Sequence, residues 1–268
     1  MSEPVMSIES AGHSYDGNRW QFRDLTLDLR RGDVLAILGP NGRGKSTLLR
    51  CLAGLLKLSS GQIKTSQTIG FVPQDFAGSF PYPVLDIVLM GRARHVPLFR
   101  TPSNLDKTIA TIAMDALASV AMTRYADQNF NELSGGEKQL VLIARALAGE
   151  NAILLLDEPA SALDLKNQDT VLALMRDIAQ KRNLAIAFTT HQPNHALAVA
   201  GAVLLMLDAP RTVFGSVDSV MTDDNLEALY DTPVRSLSFL DGAVERTAIV
   251  PVFRNAMKNA ASTIEKTE

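Results

Sequence analysis

Two stretches of the 268-residue chain combine residue types and spacing suited to phosphate chemistry. The first is Gly39-Pro40-Asn41-Gly42-Arg43-Gly44-Lys45-Ser46, followed by Thr47, which reads G-x-x-x-x-G-K-S. It follows the apolar run DVLAIL and opens the helical pattern KSTLLRCLAGLL, the strand–loop–helix setting of a phosphate-binding loop. Its glycines let several backbone N–H groups face one centre, and the helix N-terminus adds the positive end of its dipole. Lys45 is expected to reach the β- and γ-phosphates of a nucleotide and Ser46 to hold magnesium. Arg43 is bulky for a loop interior, but a cradle built of backbone leaves its side chain to point into solvent. The plainer reading, a glycine-rich turn entering an ordinary helix, does not account for the strand in front.

The second stretch is AILLLDEP, residues 152–159. A fully apolar strand of this kind belongs in a buried parallel sheet. It places Asp157 and Glu158 at its C-terminal end, where ligands of open α/β sheets gather. Asp157 suits a magnesium shell, and Glu158 suits polarising a water at the γ-phosphate. A DE pair after a strand is often only a loop boundary; its force comes from the phosphate loop upstream. Weaker signals accompany these two. Leu133-Ser134-Gly135-Gly136-Glu137 opens the helix EKQLVLIARALAG and exposes N–H groups suited to an anion. The same residues read equally well as a capping box, Ser134 with Glu137 three positions on. Gln74 follows the strand IGFV and His191 follows LAIAFTT, both leaving strand ends on the edge that carries Glu158.

The elements that must position these residues follow from periodicity. Met6 to Glu9, Leu25 to Leu29, Val34 to Leu38 and Ile69 to Val72 read as strands, the last entered after a turn at Gly61. Leu48, Leu49, Leu52, Leu55 and Leu56 recur at helical spacing. Pro73, Pro81, Pro83, Pro97 and Pro102 break up the chain beyond, and helical stretches follow from Asp106 to Val120 and Gly136 to Gly149. After residue 152, strand, helix (Asn167 to Gln180), strand, helix (His195 to Val199) and the strand VLLML imply a parallel sheet with right-handed crossovers. The polar stretch from Asn255 to Glu268 is expected to fray.

Composition narrows the function classes. Apolar residues make up 46% of the chain, enough for a core, and 26 basic against 29 acidic side chains give a net charge of -3. That balance supplies no basic footprint for nucleic acid. One cysteine, Cys51, rules out an internal disulfide and a cysteine-rich metal cluster. MSEPVMSIES lacks a basic region followed by an apolar one, so no secretory signal is expected. The longest apolar candidate, Ala196 to Leu207, stops at Asp208, short of the roughly 20 residues a membrane span needs.

Taken in order, these motifs resemble the nucleotide-binding subunit of an ABC transporter over about 240 residues. Gly39 to Thr47 looks like the family's Walker A, Gln74 its Q-loop, and LSGGE, residues 133–137, its LSGGQ signature with Glu137 in place of Gln. Ile153 to Asp157 with Glu158 resembles Walker B, Ser161 to Asp164 the D-loop, and His191 the switch histidine. Tyr15 sits where the family places an aromatic on adenine. The resemblance implies an α/β fold: a P-loop NTPase core with a mostly parallel sheet, an N-terminal antiparallel β subdomain and an inserted helical subdomain at about 75–150. The nucleotide-binding domain would run from 1 to 240 and a C-terminal extension from 241 to 268. It implies ATP and Mg2+ as cofactors, with Ser46, Gln74 and Asp157 toward the metal and Glu158, His191 and Gln74 in catalysis. It implies a head-to-tail dimer in which Ser134, Gly135 and Gly136 of one copy cap the γ-phosphate held by the other, and it counts Glu137 and Asp164 among the nucleotide-binding residues. It also implies an integral-membrane permease, a substrate-binding protein reached through it, no nucleic acid, and a peripheral place on the cytoplasmic face of the membrane. FVPQD…FPYPVLDIVLMGR, SALDLKNQDTVLALM and NLEALYDTPV are similar to importers of iron–siderophore, haem or cobalamin. THQPN with VLDIVLMGR also resembles the molybdate/tungstate branch. Rival readings are a non-transport ATPase of this family, such as an iron–sulfur assembly factor, a degenerate nucleotide-binding scaffold, and an exporter.

Overall fold

The computed structural model describes residues 3–74, 81–95 and 104–253. Pro97, Pro102, part of the FVPQD…FPYP stretch and the polar tail beyond 253 lie outside these residues.

The chain begins with antiparallel strands β1 (Met6–Ser14) and β2 (Trp20–Leu29), then β3 (Val34–Leu38) and α1 (Lys45–Leu52). Next come β4 (Ser60–Lys64) and β5 (Ile69–Val72). A helical region follows: α2 (Val84–Leu89), a tight 3-10 segment Met90–His95, α3 (Asn104–Ser119) and α4 (Gly135–Ala148). The α/β alternation resumes with β6 (Ile153–Leu156), α5 (Leu165–Lys181), β7 (Ala185–Thr190), α6 (Pro193–Val199), β8 (Ala202–Met206) and β9 (Thr212–Ser216). Short helices α7 (Val217–Val220) and α8 (Asp223–Tyr230) lead into a hairpin, β10 (Val234–Asp241) and β11 (Val244–Pro251).

The main sheet has six strands in the order β5-β6-β7-β3-β8-β9. All neighbours are parallel except β8 with β9, so the expected mostly parallel core is present. A separate three-stranded antiparallel sheet, β2-β1-β4, forms the N-terminal part. The period of two along buried strands sorts side chains between two cores. Val34, Ala36 and Leu38 of β3 face the helices together with Leu154, Leu156, Ile186 and Phe188. Leu35 and Ile37 face the antiparallel sheet and α1 together with Ile153, Leu155, Ala185 and Ala187.

Several expectations need correction. β1 and β2 extend well beyond Met6–Glu9 and Leu25–Leu29, because the antiparallel pairing runs on to Ser14 and Trp20, past residues that include the buried His13, Ser14 and Phe22. The helix carrying Leu48 ends at Leu52 and does not include Leu55 and Leu56. Gly54, at φ 71°, reverses the chain there, and its N–H bonds to Cys51 O while that of Leu55 bonds to Arg50 O. This pair of bonds closes a helix with a left-handed residue after its cap. Gly61 does not lead directly to Ile69: it lies inside β4, which the sequence pattern hides because its residues are mostly polar and exposed. Position 240 lies in β10, whose partner strand β11 brings Ile249 into the main core at 4% exposure.

Within the helical region the 3-10 segment is fastened to α4 by close backbone contact. A Cβ added at Gly91 would lie 2.0 Å from the carbonyl oxygen of Arg145 on α4. Gly91→Ala is therefore expected to lose about 1–3 kcal/mol of unfolding free energy in a urea titration. Gly201→Ala, where an added methyl meets nothing within 4 Å, should leave the midpoint unchanged.

Candidate functional site

The parallel strands bring their C-terminal ends to one edge, and the expected side chains collect there. Between β3 and α1 the loop from Gly39 curls so that Gly42 and Gly44 take φ of 81° and 84°, a conformation open to residues without a Cβ. The loop borders a cleft of about 340 Å³ lined by Asn41, Gly42, Lys45, Ser46, Thr47, Gln74 and Glu158. Gln21 of β2 also reaches it, a residue that no sequence motif flags.

Lys45 is 5% exposed, and its Nζ donates to Pro40 O at 3.1 Å and pairs with Glu158 Oε1 at 3.2 Å. His191 Nδ1 lies 2.9 Å from the other oxygen of Glu158. Burial pushes the Glu158 carboxyl up, but the Lys45 charge and the hydrogen bonds from His191 and Lys45 outweigh it and hold the pKa below its ordinary value. Glu158 is thus an ionised carboxylate at neutral pH. Its backbone sits at φ 47°, a left-handed conformation uncommon outside glycine and frequent at functional sites.

Asp157 is 3% exposed at the end of β6, and two hydroxyls share its Oδ1: Ser46 at 2.9 Å and Thr189 at 2.7 Å. Thr189 Oγ1 also accepts the N–H of Glu158 at 2.8 Å, so one hydroxyl on β7 holds both acidic residues. Sequence reading missed Thr189; the signal was a pair of hydroxyl residues ending the otherwise apolar strand LAIAFTT.

The remaining candidates are placed as follows. Tyr15 is 64% exposed, and its hydroxyl lies 3.0 Å from Thr47 Oγ1, beside the loop. Arg43 does not end free in solvent: Nη1 pairs with Asp208 at 2.7 Å after β8, away from the cleft. Ser134 caps α4 by accepting the N–H of Glu137 at 3.4 Å, and Glu137 returns the bond by accepting from the N–H and hydroxyl of Ser134. Bonds from Tyr125 and Ser134 lower the Glu137 pKa. A Cβ at Gly136 would lie 2.6 Å from Asn167 Cγ, so this turn packs directly on the start of α5. Gly135 stands beside it at the first position of α4. Asp164 caps α5 by accepting the N–H of Asn167 at 2.8 Å. The structure therefore joins Lys45, Ser46, Asp157, Glu158 and His191 into one cluster, with Gln74 lining the same cleft. The bonds of Ser134 and Asp164 are spent within their own turns, and Glu137 adds a bond from Tyr125.

Chemically, the cluster offers a cation, a buried carboxylate with a second partner, and a hydroxyl–carboxylate pair of hard oxygen donors beside a loop of backbone N–H groups. The oxygen donors suit Mg2+, which takes few protein ligands and completes its shell with water and phosphate oxygens. Among the described residues no group of three or more His, Cys, Asp or Glu is placed to hold a metal alone.

Comparison with known proteins covers up to 95% of the chain. Residues 22–161 match the family model described as ABC transporter. A molybdate import ATP-binding protein of Haemophilus influenzae is 45% identical, over 95% of this chain and 99% of its own length. A protein of Helicobacter pylori described as an iron chelatin transport ATP-binding protein is 38% identical over 80% of this chain and 88% of its own. A solved structure, described as an inward-facing conformation of a metal-chelate type ABC transporter, superposes with a TM-score of 0.89 at 44% identity. It covers 95% of this chain and 100% of the matched one.

Thr189→Val keeps the shape of the side chain and leaves the Glu158 N–H without its acceptor. It is expected to lower stability by about 1–3 kcal/mol in chemical denaturation, whereas Thr189→Ser should stay near the parent.

Proposed function

The chain belongs to the ABC transporter family, and from that membership we propose that it is the ATP-hydrolysing subunit of an importer for metal oxyanions or metal complexes, with a molybdate-type oxyanion as cargo. The observation that carries the hydrolytic part is the meeting of Lys45 and His191 on the two oxygens of Glu158, next to Ser46 on Asp157.

In this reading the phosphates of ATP lie along the loop from Gly39 to Thr47, and Tyr15 stands where the adenine ring can stack. Lys45 turns its charge from Glu158 to the β- and γ-phosphates. Glu158, held ionised, polarises the attacking water, and His191 orients that carboxylate and contacts the γ-phosphate. Ser46 and Asp157 would hold Mg2+, with Gln74 joining from the same cleft; the ion neutralises phosphate charge. Ser134, Gly135, Gly136, Glu137 and Asp164 would face the nucleotide of a second copy packed head to tail. That accounts for a signature turn that spends its local bonds on itself and not on its own phosphate loop. Closure around ATP would move the Gln74 region, where a permease docks on the cytoplasmic side of the membrane. Among the described residues no helix is long and apolar enough to cross a membrane. The cargo assignment rests on the end-to-end similarity to the molybdate import protein. Iron chelate is the second reading, favoured by the metal-chelate type of the solved structure.

Glu158→Gln is expected to bind ATP yet hydrolyse it about 10²–10⁴-fold more slowly, the usual worth of a general base. With ATP and magnesium it should elute as a dimer in size-exclusion chromatography; turnover at the parental rate would overturn the role of Glu158. Lys45→Ala should weaken ATP binding in a titration. For cargo, proteoliposomes holding the chain, its permease and its binding protein should accumulate molybdate with ATP inside. Uptake of a ferric chelate without molybdate would transfer the assignment to the second reading.

A further inference from the structure

Two turns flank Glu158: Ser161–Asp164 after it, and the turn of His191 at the end of β7. Ser161 ties the first turn to Glu158 by donating Oγ to its carbonyl at 3.1 Å. His191 ties the second to the carboxylate. A chain of side chains inside the protein also joins the turns to each other. Gln168, one turn into α5, donates Nε2 to Leu163 O at 2.9 Å. Its Oε1 lies 3.2 Å from Nε2 of His195 on α6. Nδ1 of His195 lies 3.3 Å from Thr190 Oγ1, which accepts the N–H of Gln192 at 3.1 Å.

The proton positions follow from chemistry. The Leu163 carbonyl can only accept, so the amide nitrogen of Gln168 faces it and the amide oxygen faces His195. His195 Nε2 therefore carries the hydrogen, Nδ1 accepts, and the Thr190 hydroxyl donates to it. A neutral imidazole satisfies every bond in the chain. Burial, and then the nearby His191, lower the pKa of His195 against the opposite pull of Glu158, in keeping with a neutral ring. The ring is 5% exposed.

We propose that Gln168 and His195 are positioning residues that lock the Ser161–Asp164 turn to the His191 turn, so that both move around Glu158 as one body. This rests on the reading of Glu158 and His191 as the hydrolytic pair. Apolar side chains would cement α5 to α6 without the desolvation cost of a buried polar chain. What the polar chain adds is direction: it is complete only at one spacing of the two turns.

The test uses Gln168→Leu, His195→Phe and the double variant of the full chain. Each single variant is expected to lose about tenfold to a hundredfold in kcat, the scale of a misplaced catalytic group. ATP affinity should stay within about twofold, since the phosphate loop is untouched. The double variant should be no slower than the slower single one, because either change breaks the same bridge. Losses that multiply in the double variant, or a kcat unchanged in both singles, would overturn the proposal. A second readout does not depend on hydrolysis: hydrogen exchange of the amides at 161–164. It should speed up in His195→Phe, a residue on another helix, and an unchanged rate there would also overturn the bridge. If the parent itself hydrolyses no ATP, the reading under Proposed function fails while exchange still decides on the bridge. Gln168 is half-buried, so its variant carries the test should His195→Phe fail to fold.

Discussion

Buried charge at the end of a sheet sets the terms for this molecule. The side chains of Lys45 and Glu158 are 5% and 8% exposed, and each charge needs a partner to stay ionised there. A buried ion pair contributes little net stability, but removing one partner typically costs about 3–5 kcal/mol. Glu158 is insured against that loss by a second partner, His191. Lys45 can therefore be given over to a phosphate without stranding the carboxylate. Asp157 obeys the same rule with neutral partners, the hydroxyls of Ser46 and Thr189.

The strand order delivers these partners. In β5-β6-β7-β3 each strand is parallel to the next, so all four end at one edge. Each end carries one part of the site: Gln74 after β5, Asp157 and Glu158 after β6, Thr189 to His191 at β7, and the phosphate loop after β3. Neighbouring strands are about 4.8 Å apart, which is why side chains from three of them can touch across the edge.

What was legible in the sequence was what is local. The phosphate loop declares itself because its glycines, lysine and serine are contiguous, and the Asp157-Glu158 pair because an apolar strand points to it. The parallel core was readable from unbroken apolar runs such as AILLLD. Other features depend on partners far along the chain. The end of α1 turned on one left-handed glycine, Gly54, against a leucine pattern that ran on to Leu56. β4 exists because β1 offers it an antiparallel edge, not because its own residues alternate. Arg43 finds Asp208, and Gln168 finds His195, only once the sheet and the α5–α6 layer have formed. The distribution of bonds by Thr189 had no signature beyond a hydroxyl at a strand end.

The position of β3 also bears on how the chain is made. It is flanked by β7 and β8, whose residues lie some 150 positions later. As the polypeptide leaves the ribosome, the phosphate loop emerges early but its strand has no sheet to join until β7 and β8 follow. Until then Ala36 and Leu38 have no Phe188 or Leu205 to cover them. The nucleotide site is thus a late product of synthesis. A chain stalled before about residue 206 would expose a fully apolar strand with no cradle formed behind it, a species for chaperones and not for ATP.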